Sequence, residues 1–284
     1  MSFSCLSVGY CQPRNRTHSA VGSGRTRCLR EILSRTWEFV TSTSGWAVGN
    51  SGTLLRTTDG GTTWTSQTSG TAYQLSGVSF ADLNNGMTVG AHGTIQRTTD
   101  GGTTWIPQSS GTTVYLVDVS YTDSNNGTVV GQGGKILRTT NGGTTWTSQS
   151  SGAANVLYGV SFTDSANGTA VGGNGKILRT RNGGTTWNSQ PSGTANSLYG
   201  VCFTDSANGT AVGRNTLASS GIILKTTNVG TTWTSQPSGR TYVLYSVSFT
   251  DSVQGTAVGY NGTILRTTNG GTTWAQQPTT ASNS

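Results

Sequence analysis

Apolar and polar residues alternate along this chain in short runs punctuated by glycine. In residues 75–110, LSGVSFADLNNGMTVGAHGTIQRTTDGGTTWIPQSS, β-branched and aromatic residues take alternate places in LSGVSF, ADLNNG reads as a turn, and MTVGAHG reads as a short strand closing in glycine. TIQRTT and TTWIPQ follow as two more strands joined across DGG. Four short strands with turn signals between them predict an antiparallel meander. One such sheet has two faces and cannot bury its apolar residues alone, so neighbouring copies must stack. Radial stacking of four-stranded sheets makes a β-propeller.

The copies are present. Phe39, Phe80, Tyr121, Phe162, Phe203 and Phe249 share one register, and the tryptophans that close each unit recur at intervals of 41, 41, 41, 46 and 41. Each unit carries Val-Gly sixteen residues before its tryptophan, except the fifth, where RNTLASSGI stands for the shorter GNGKI of its neighbours. The predicted fold is all-β, a propeller of six four-stranded antiparallel blades over residues 36–284, preceded by an atypical basic segment, residues 1–35. That segment is either disordered or a degenerate blade; in the second case the alternative is seven blades, the seventh using part of the segment. SAVGSG at 19–24 resembles TAVGGNG, and Val21 stands sixteen residues before Trp37. Against it, Trp37 also aligns with the valine of GVSF, and RTRCLREIL lacks the residues that close the other units.

Those closing residues form an octapeptide, TTDGGTTW or TTNGGTTW with small variations. An Asp or Asn side chain accepts hydrogen bonds from its own turn, glycine tolerates positive φ, and tryptophan is a large apolar anchor. The expected role of Asp59, Trp64, Asp100, Trp105, Asn141, Trp146, Asn182, Trp187, Asn228, Trp233, Asn269 and Trp274 is therefore structural. A catalytic group is seldom needed six times.

Charge changes the picture little once it is divided along the chain. The formal net charge is +7, but residues 1–35 hold six Lys and Arg against Glu31, leaving the array nearly neutral. Nucleic-acid binding calls for a basic stripe with stacking aromatics, and none is legible. Of the four cysteines, Cys5, Cys11 and Cys28 precede the array, and Cys202 replaces the serine of VSF. No CxxC or His/Cys ligand cluster appears, so neither a metal site nor a cofactor is expected. The opening residues give no convincing signal peptide, and no apolar run reaches membrane-span length. Asn126, Asn167, Asn208 and Asn261 begin Asn-Gly-Thr triplets, but Asn-Gly is foremost a hairpin dipeptide.

Glycoside hydrolysis needs two placed carboxyl groups, and the acids are few enough to inspect one by one. Asp59 and Asp100 lie in the octapeptide; Asp82, Asp123, Asp164, Asp205 and Asp251 repeat one turn position; Glu31 and Glu38 lie near the N terminus. Asp118 alone falls elsewhere, in a first strand where it could face the propeller axis, with a structural role favoured. His18 and His92 are expected to be ordinary solvated histidines. No catalytic residue is assigned, and an enzyme is not expected.

The octapeptide resembles the Asp box, roughly S/T-x-D-x-G-x-T-W, of sialidases, sortilin-type receptors and several glycoside hydrolases. The longer unit GVSFTD...NGTAVG...GKILRTTNGGTTW resembles the blade repeat of the photosystem II stability/assembly factor family, over residues 36–284. That resemblance implies a non-enzymatic propeller, usually seven-bladed, that helps reaction-centre subunits assemble at a membrane. The implied partner is a protein, either a membrane-protein subunit or a peptide segment, bound by a monomer. A carbohydrate-binding or sialidase-like protein with a glycan ligand is the alternative. Periplasmic, extracellular and thylakoid-associated settings all remain open.

In a four-strand meander, the acidic turns and Asp boxes share one face, while the second-to-third turns and the blade connections share the other. The second face carries the sequence variation, which makes it the expected docking side. Tyr73, Tyr115, Tyr158, Tyr199, Tyr242 and Tyr245 lie near the starts of first strands and could form an aromatic collar at the channel mouth, rimmed by Arg214 and Arg240. For Tyr158, Tyr199 and Tyr245, packing between blades is an equal alternative. Arg56, Arg97, Arg138, Arg179, Lys225 and Arg266 form a series of one cation per blade, with internal bonding the expected role.

Overall fold

The computed structural model of the chain describes residues 34–217, 220–239 and 242–278. They form six sheets of four antiparallel strands, each in simple sequence order from inside to outside. Blade 1 spans 34–66, blade 2 75–108, blade 3 116–149, blade 4 157–190, blade 5 197–236 and blade 6 244–276. The architecture is an all-β propeller, as the alternating pattern predicts. The inner strands are Ser34–Phe39, Leu75–Phe80, Leu116–Tyr121, Leu157–Phe162, Ser197–Phe203 and Leu244–Phe249. The fourth strands are shorter than the sequence suggests, two or three residues each, such as Thr65–Ser66 and Ile106–Gln108.

Two local contacts explain the spacing of the repeat. The aromatic residue ending each inner strand pairs with a glycine that opens the second, as in Phe80 with Gly86 and Phe203 with Gly209. A Cβ at Gly86 would lie 2.4 Å from the Phe80 ring, so the ring occupies the space that any other residue would need. After the second strand, the sequence pattern suggests strand running into glycine; the structure instead has a one-turn 3-10 helix, as at Ala91–Gly93. Its middle residue is left-handed: Ser51, His92, Asn174 and Asn261 have φ of 52–56°, and Gly133 has 64°. In blade 5 the five inserted residues do not bulge as a loop at their base. They lengthen the hairpin, so Gly209–Asn215 and Ser220–Thr226 pair out to Asn215 with Ser220.

Apolar burial lies mainly between blades. The second and third strands of one blade press on the inner strand and tryptophan of the next: Trp46, Val48 and Leu54 pack on Leu75, Val78, Phe80 and Trp105. Equivalent clusters fill the next four seams. Burying each large side chain stabilises the fold by roughly 1.5–3 kcal/mol, and no blade can realise that alone. Polar links cross the same seams near the axis: the Ser76 hydroxyl donates to Leu116 O at 2.6 Å, and the Thr36 hydroxyl donates to Ser76 O.

Candidate functional site: a tyrosine-lined axial channel

The Asp boxes are closed hydrogen-bonded turns on the outer edge of each blade. In blade 1, Asp59 Oδ1 accepts the Thr63 N–H at 2.8 Å and Oδ2 accepts the Thr63 hydroxyl at 2.7 Å. The Thr57 hydroxyl donates to Asp59 Oδ1 at 2.8 Å and accepts the Gly61 N–H at 2.9 Å. These bonds, led by the Thr63 backbone N–H, hold the Asp59 carboxyl at about 2. Asn141 fills the same role in blade 3: Oδ1 accepts the Thr145 N–H at 3.0 Å, while Nδ2 donates to the Thr145 hydroxyl at 2.9 Å. Asp and Asn interchange here because the amide reverses one bond without losing it. The Trp105 indole donates to Gly102 O at 3.1 Å and meets Phe80 edge-on at 5.9 Å.

The other carboxylates are also engaged by the scaffold. Asp82 Oδ1 accepts the N–H groups of Asn84 and Asn85 at 2.7 and 2.8 Å, and Asp123, Asp164, Asp205 and Asp251 repeat that turn. Glu38 Oε2 accepts the Phe80 N–H at 2.7 Å and Asp118 Oδ2 accepts the Val160 N–H at 2.9 Å, so both bind one blade to the next. Position alone suggested no role for Glu38. Its signal was its place in TWEF, in register with the serine of GVSF, since Ser79 makes the same link to the Tyr121 N–H at 3.1 Å.

Five of the six cations of the series lie along the seams. Arg179 donates to Thr169 Oγ1 at 3.1 Å and to Ser206 O at 3.2 Å in the next blade, with its guanidinium over the Phe203 ring at 5.1 Å. Arg56 covers the Trp46 ring, and Lys225 donates to Thr272 Oγ1 of the next blade at 2.8 Å. Arg266 is exposed and turns back to Gln254 of its own blade.

A cavity of about 400 Å³ runs along the axis between the inner strands, and its wall includes Tyr115, Tyr158, Tyr199, Tyr245 and Asp118. Tyr158 meets Tyr199 edge-on at 5.0 Å between centroids, and Tyr199 meets Tyr245 at 5.8 Å. The Tyr115 hydroxyl accepts from Gln74 Nε2 at 2.8 Å. Burial pushes the Tyr199 hydroxyl up, reinforced by Tyr158 and opposed by the nearby Arg214 cation. Asp118 is pushed up to about 6 by burial, against the lowering effect of the backbone N–H groups of Val160 and Val119.

The six tyrosines therefore divide. Four line the channel; Tyr73 and Tyr242 are exposed on blade connections, where Tyr73 packs on His92 at 4.5 Å and Tyr242 on Tyr260 at 5.7 Å. Arg214 is exposed at the end of a blade 5 strand, across from Ser197. Arg240 lies outside the described residues.

The repeat model of the photosystem II assembly factor YCF48 matches residues 31–107 and 69–148. The chain shares the YCF48 repeat. Among solved structures, "YCF48 bound to D1 peptide" is similar with a TM-score of 0.67 at 23% identity, over 84% of this chain and 79% of that one. YCF48 from Cyanidioschyzon merolae gives a TM-score of 0.67 at 24% identity, over 85% and 84% of the two chains. A GH74 enzyme from Niastella koreensis reaches 0.66 at 16% identity, covering 82% of this chain but 44% of its own. At these identities the structural likenesses show the fold. No curated protein matches the chain.

Proposed function

We propose that this protein is a non-enzymatic scaffold that binds an extended segment of a protein partner at the tyrosine-lined axial channel. The observation that carries this reading is the convergence of Tyr115, Tyr158, Tyr199 and Tyr245 around one cavity, with the carboxyl of Asp118 in its wall. Tyrosine offers a broad apolar face and a polar tip at low entropic cost, which suits a peptide whose side chains and backbone must both be satisfied. Arg214 near Tyr199 adds a cation for an acidic side chain or a C-terminal carboxylate. The YCF48 structure with a bound D1 peptide supports a peptide partner, and a membrane-protein subunit is the natural source of one.

The non-enzymatic part of the proposal rests on the carboxylates. Nine of the ten acids lie among the described residues, and each accepts hydrogen bonds that hold turns or seams together. Using one as a general acid or base would loosen the scaffold that positions it. Similarity to GH74 propellers keeps sugar binding as the second reading, since aromatic walls also stack on pyranose rings.

The test is fluorescence anisotropy with labelled D1 peptide on the full chain, beside the Tyr158→Ala/Tyr199→Ala variant. Binding that weakens by about tenfold or more in the variant supports the channel as the site. Equal affinity in both removes the channel from the reading. Retention of xyloglucan oligosaccharide in place of peptide replaces it with the carbohydrate reading.

A further inference from the structure

The outer end of the seam between blades 1 and 2 departs from the repeat. A groove of about 520 Å³ lies there between residues 70–73, which connect the two blades, and the third and fourth strands of blade 2. Its volume falls among those of small-molecule sites, roughly 300–1,000 Å³. Gln96 lies in its wall on the third strand, where the other blades carry Leu55, Leu137, Leu178, Leu224 and Leu265. Gln96 is 3% exposed, and its Oε1 has no hydrogen-bond partner. A buried acceptor without a partner is costly, and it points to a group that belongs beside it.

The surroundings of Gln96 differ as well. Its cross-strand partner is Pro107, whereas the leucines of blades 1, 3, 4 and 5 face Ser66, Ser148, Ser189 and Ser235. In blades 3 and 4 a lysine crosses this place: Lys135 Nζ donates to the Ser148 hydroxyl at 3.4 Å, and Lys176 Nζ donates to that of Ser189 at 3.3 Å. Thr94 stands at the lysine position of blade 2, so the groove is left open. At its rim Tyr73 is 52% exposed and packs on His92 at 4.5 Å between centroids. The Tyr73 N–H donates to Thr71 Oγ1 at 3.1 Å, which fixes the backbone that carries the ring before any ligand arrives.

We propose that this groove binds a neutral saccharide, with a sugar ring stacked on Tyr73 and a hydroxyl donating to Gln96 Oε1. Among the described residues its wall holds no Asp, Glu, Lys or Arg, so it offers no countercharge to a phosphate, a nucleotide or a charged peptide. Its polar groups are hydroxyls and amides, and its exposed apolar surfaces include the rings of Tyr73 and Pro107. A pyranose matches both: its C–H face packs on an aromatic ring while the hydroxyls at its edge donate and accept hydrogen bonds. An extended peptide is the poorer fit. It would dock by adding a strand to the outer edge of the blade, and Pro107 withholds an N–H from that edge. The groove shares no wall residue with the axial channel, so a peptide held there leaves it free.

The test is isothermal titration calorimetry on the full chain with a panel of neutral oligosaccharides: cellotetraose, xylotetraose, mannotetraose, chitotetraose and a xyloglucan heptasaccharide. Wild type is compared with Tyr73→Ala, Gln96→Leu and the channel variant Tyr158→Ala/Tyr199→Ala. At least one sugar should bind the wild type, with affinity reduced about tenfold or more in each groove variant and unchanged in the channel variant. Gln96→Leu installs the residue of the other blades and removes the unpaired acceptor, so its melting temperature should rise by about 2–4 °C. Its loss of binding is then not a loss of fold. The proposal is overturned if no sugar of the panel binds, or if either groove variant binds as the wild type does. Loss confined to the channel variant also overturns it, and would place the sugar in the channel.

Discussion

Asp118 accepts the backbone N–H of Val160 through Oδ2 at 2.9 Å, and this bond ties the inner strand of blade 3 to that of blade 4 across the wall of the axial channel. It is at once a seam link and a carboxyl enclosed by protein, and the two roles pull its ionisation in opposite directions. Burial prevails, so the carboxyl titrates at about 6 against an ordinary 3.8.

This raised value sets a pH dependence. Between pH 4 and 6, the folded state holds a proton on Asp118 that the unfolded state has released, so stability falls as pH rises through that window. Asp118→Asn keeps an acceptor for Val160 and removes the charge. It should stabilise the protein at pH 7 by about 1–2 kcal/mol, discounted from the full shift because the channel admits water beside the group. Urea denaturation of both proteins at pH 4 and pH 7 checks this: the advantage of the variant should be present at pH 7 and absent at pH 4.

The Asp boxes behave in the opposite sense. Asp59 and Asp100 titrate at about 2, held down chiefly by the Thr63 backbone N–H and the Thr104 hydroxyl respectively. Their contribution is complete above pH 4 and is lost as pH falls towards 2. Asp59→Asn/Asp100→Asn reproduces the residue found in the later blades and should leave the melting temperature at pH 7 nearly unchanged. Its thermal stability should decline less than that of the wild type between pH 4 and 2.

Trp46 is fully buried and stacks on Phe80 at 3.7 Å with the rings 19° from parallel, filling the first seam where blades 3 to 6 have threonine. Trp46→Thr should leave a cavity and cost about 3–5 kcal/mol in equilibrium unfolding. A loss below about 1 kcal/mol would show that blades 1 and 2 close up around the smaller side chain.

Adjacent glycines in one turn should differ sharply. Gly133 and Gly134 both have positive φ, 64° and 68°, but a Cβ on Gly133 meets nothing within 4 Å, whereas one on Gly134 would lie 2.0 Å from Ala153 O. Gly133→Ala should cost about 1–2 kcal/mol, the ordinary cost of a left-handed alanine. Gly134→Ala must displace the connection to blade 4 and should cost more. Comparing the two urea midpoints separates backbone preference from close approach.

Much of the architecture was legible before any coordinates. A repeat that places Phe80 six residues before Gly86 and Trp105 sixteen after Val89 encodes strand, turn and Asp box through bonds that close within one unit, such as Thr63 to Asp59. The exposed fraction of each tyrosine was not legible. Tyr73 and Tyr115 occupy similar places before their inner strands, yet one packs outward on His92 and the other lines the channel. Glu38 was equally obscure, because its partner lies forty-two residues away in another blade.

The sequence by itself determined the blade: alternation sets which face of each strand is apolar, and the Asp-box turn satisfies its own polar groups, so both are local properties. Only the tertiary structure decided what blades do to one another. It drew four tyrosines and Asp118 around one axis, raised the Asp118 carboxyl by enclosing it, sent the cations into seams, and left Val258, Ile264 and Trp37 incompletely covered between blades 6 and 1. The reason is geometric: near-identical units carry near-identical local instructions, and burial, the dominant stabilising term, is a property of the neighbour each unit meets.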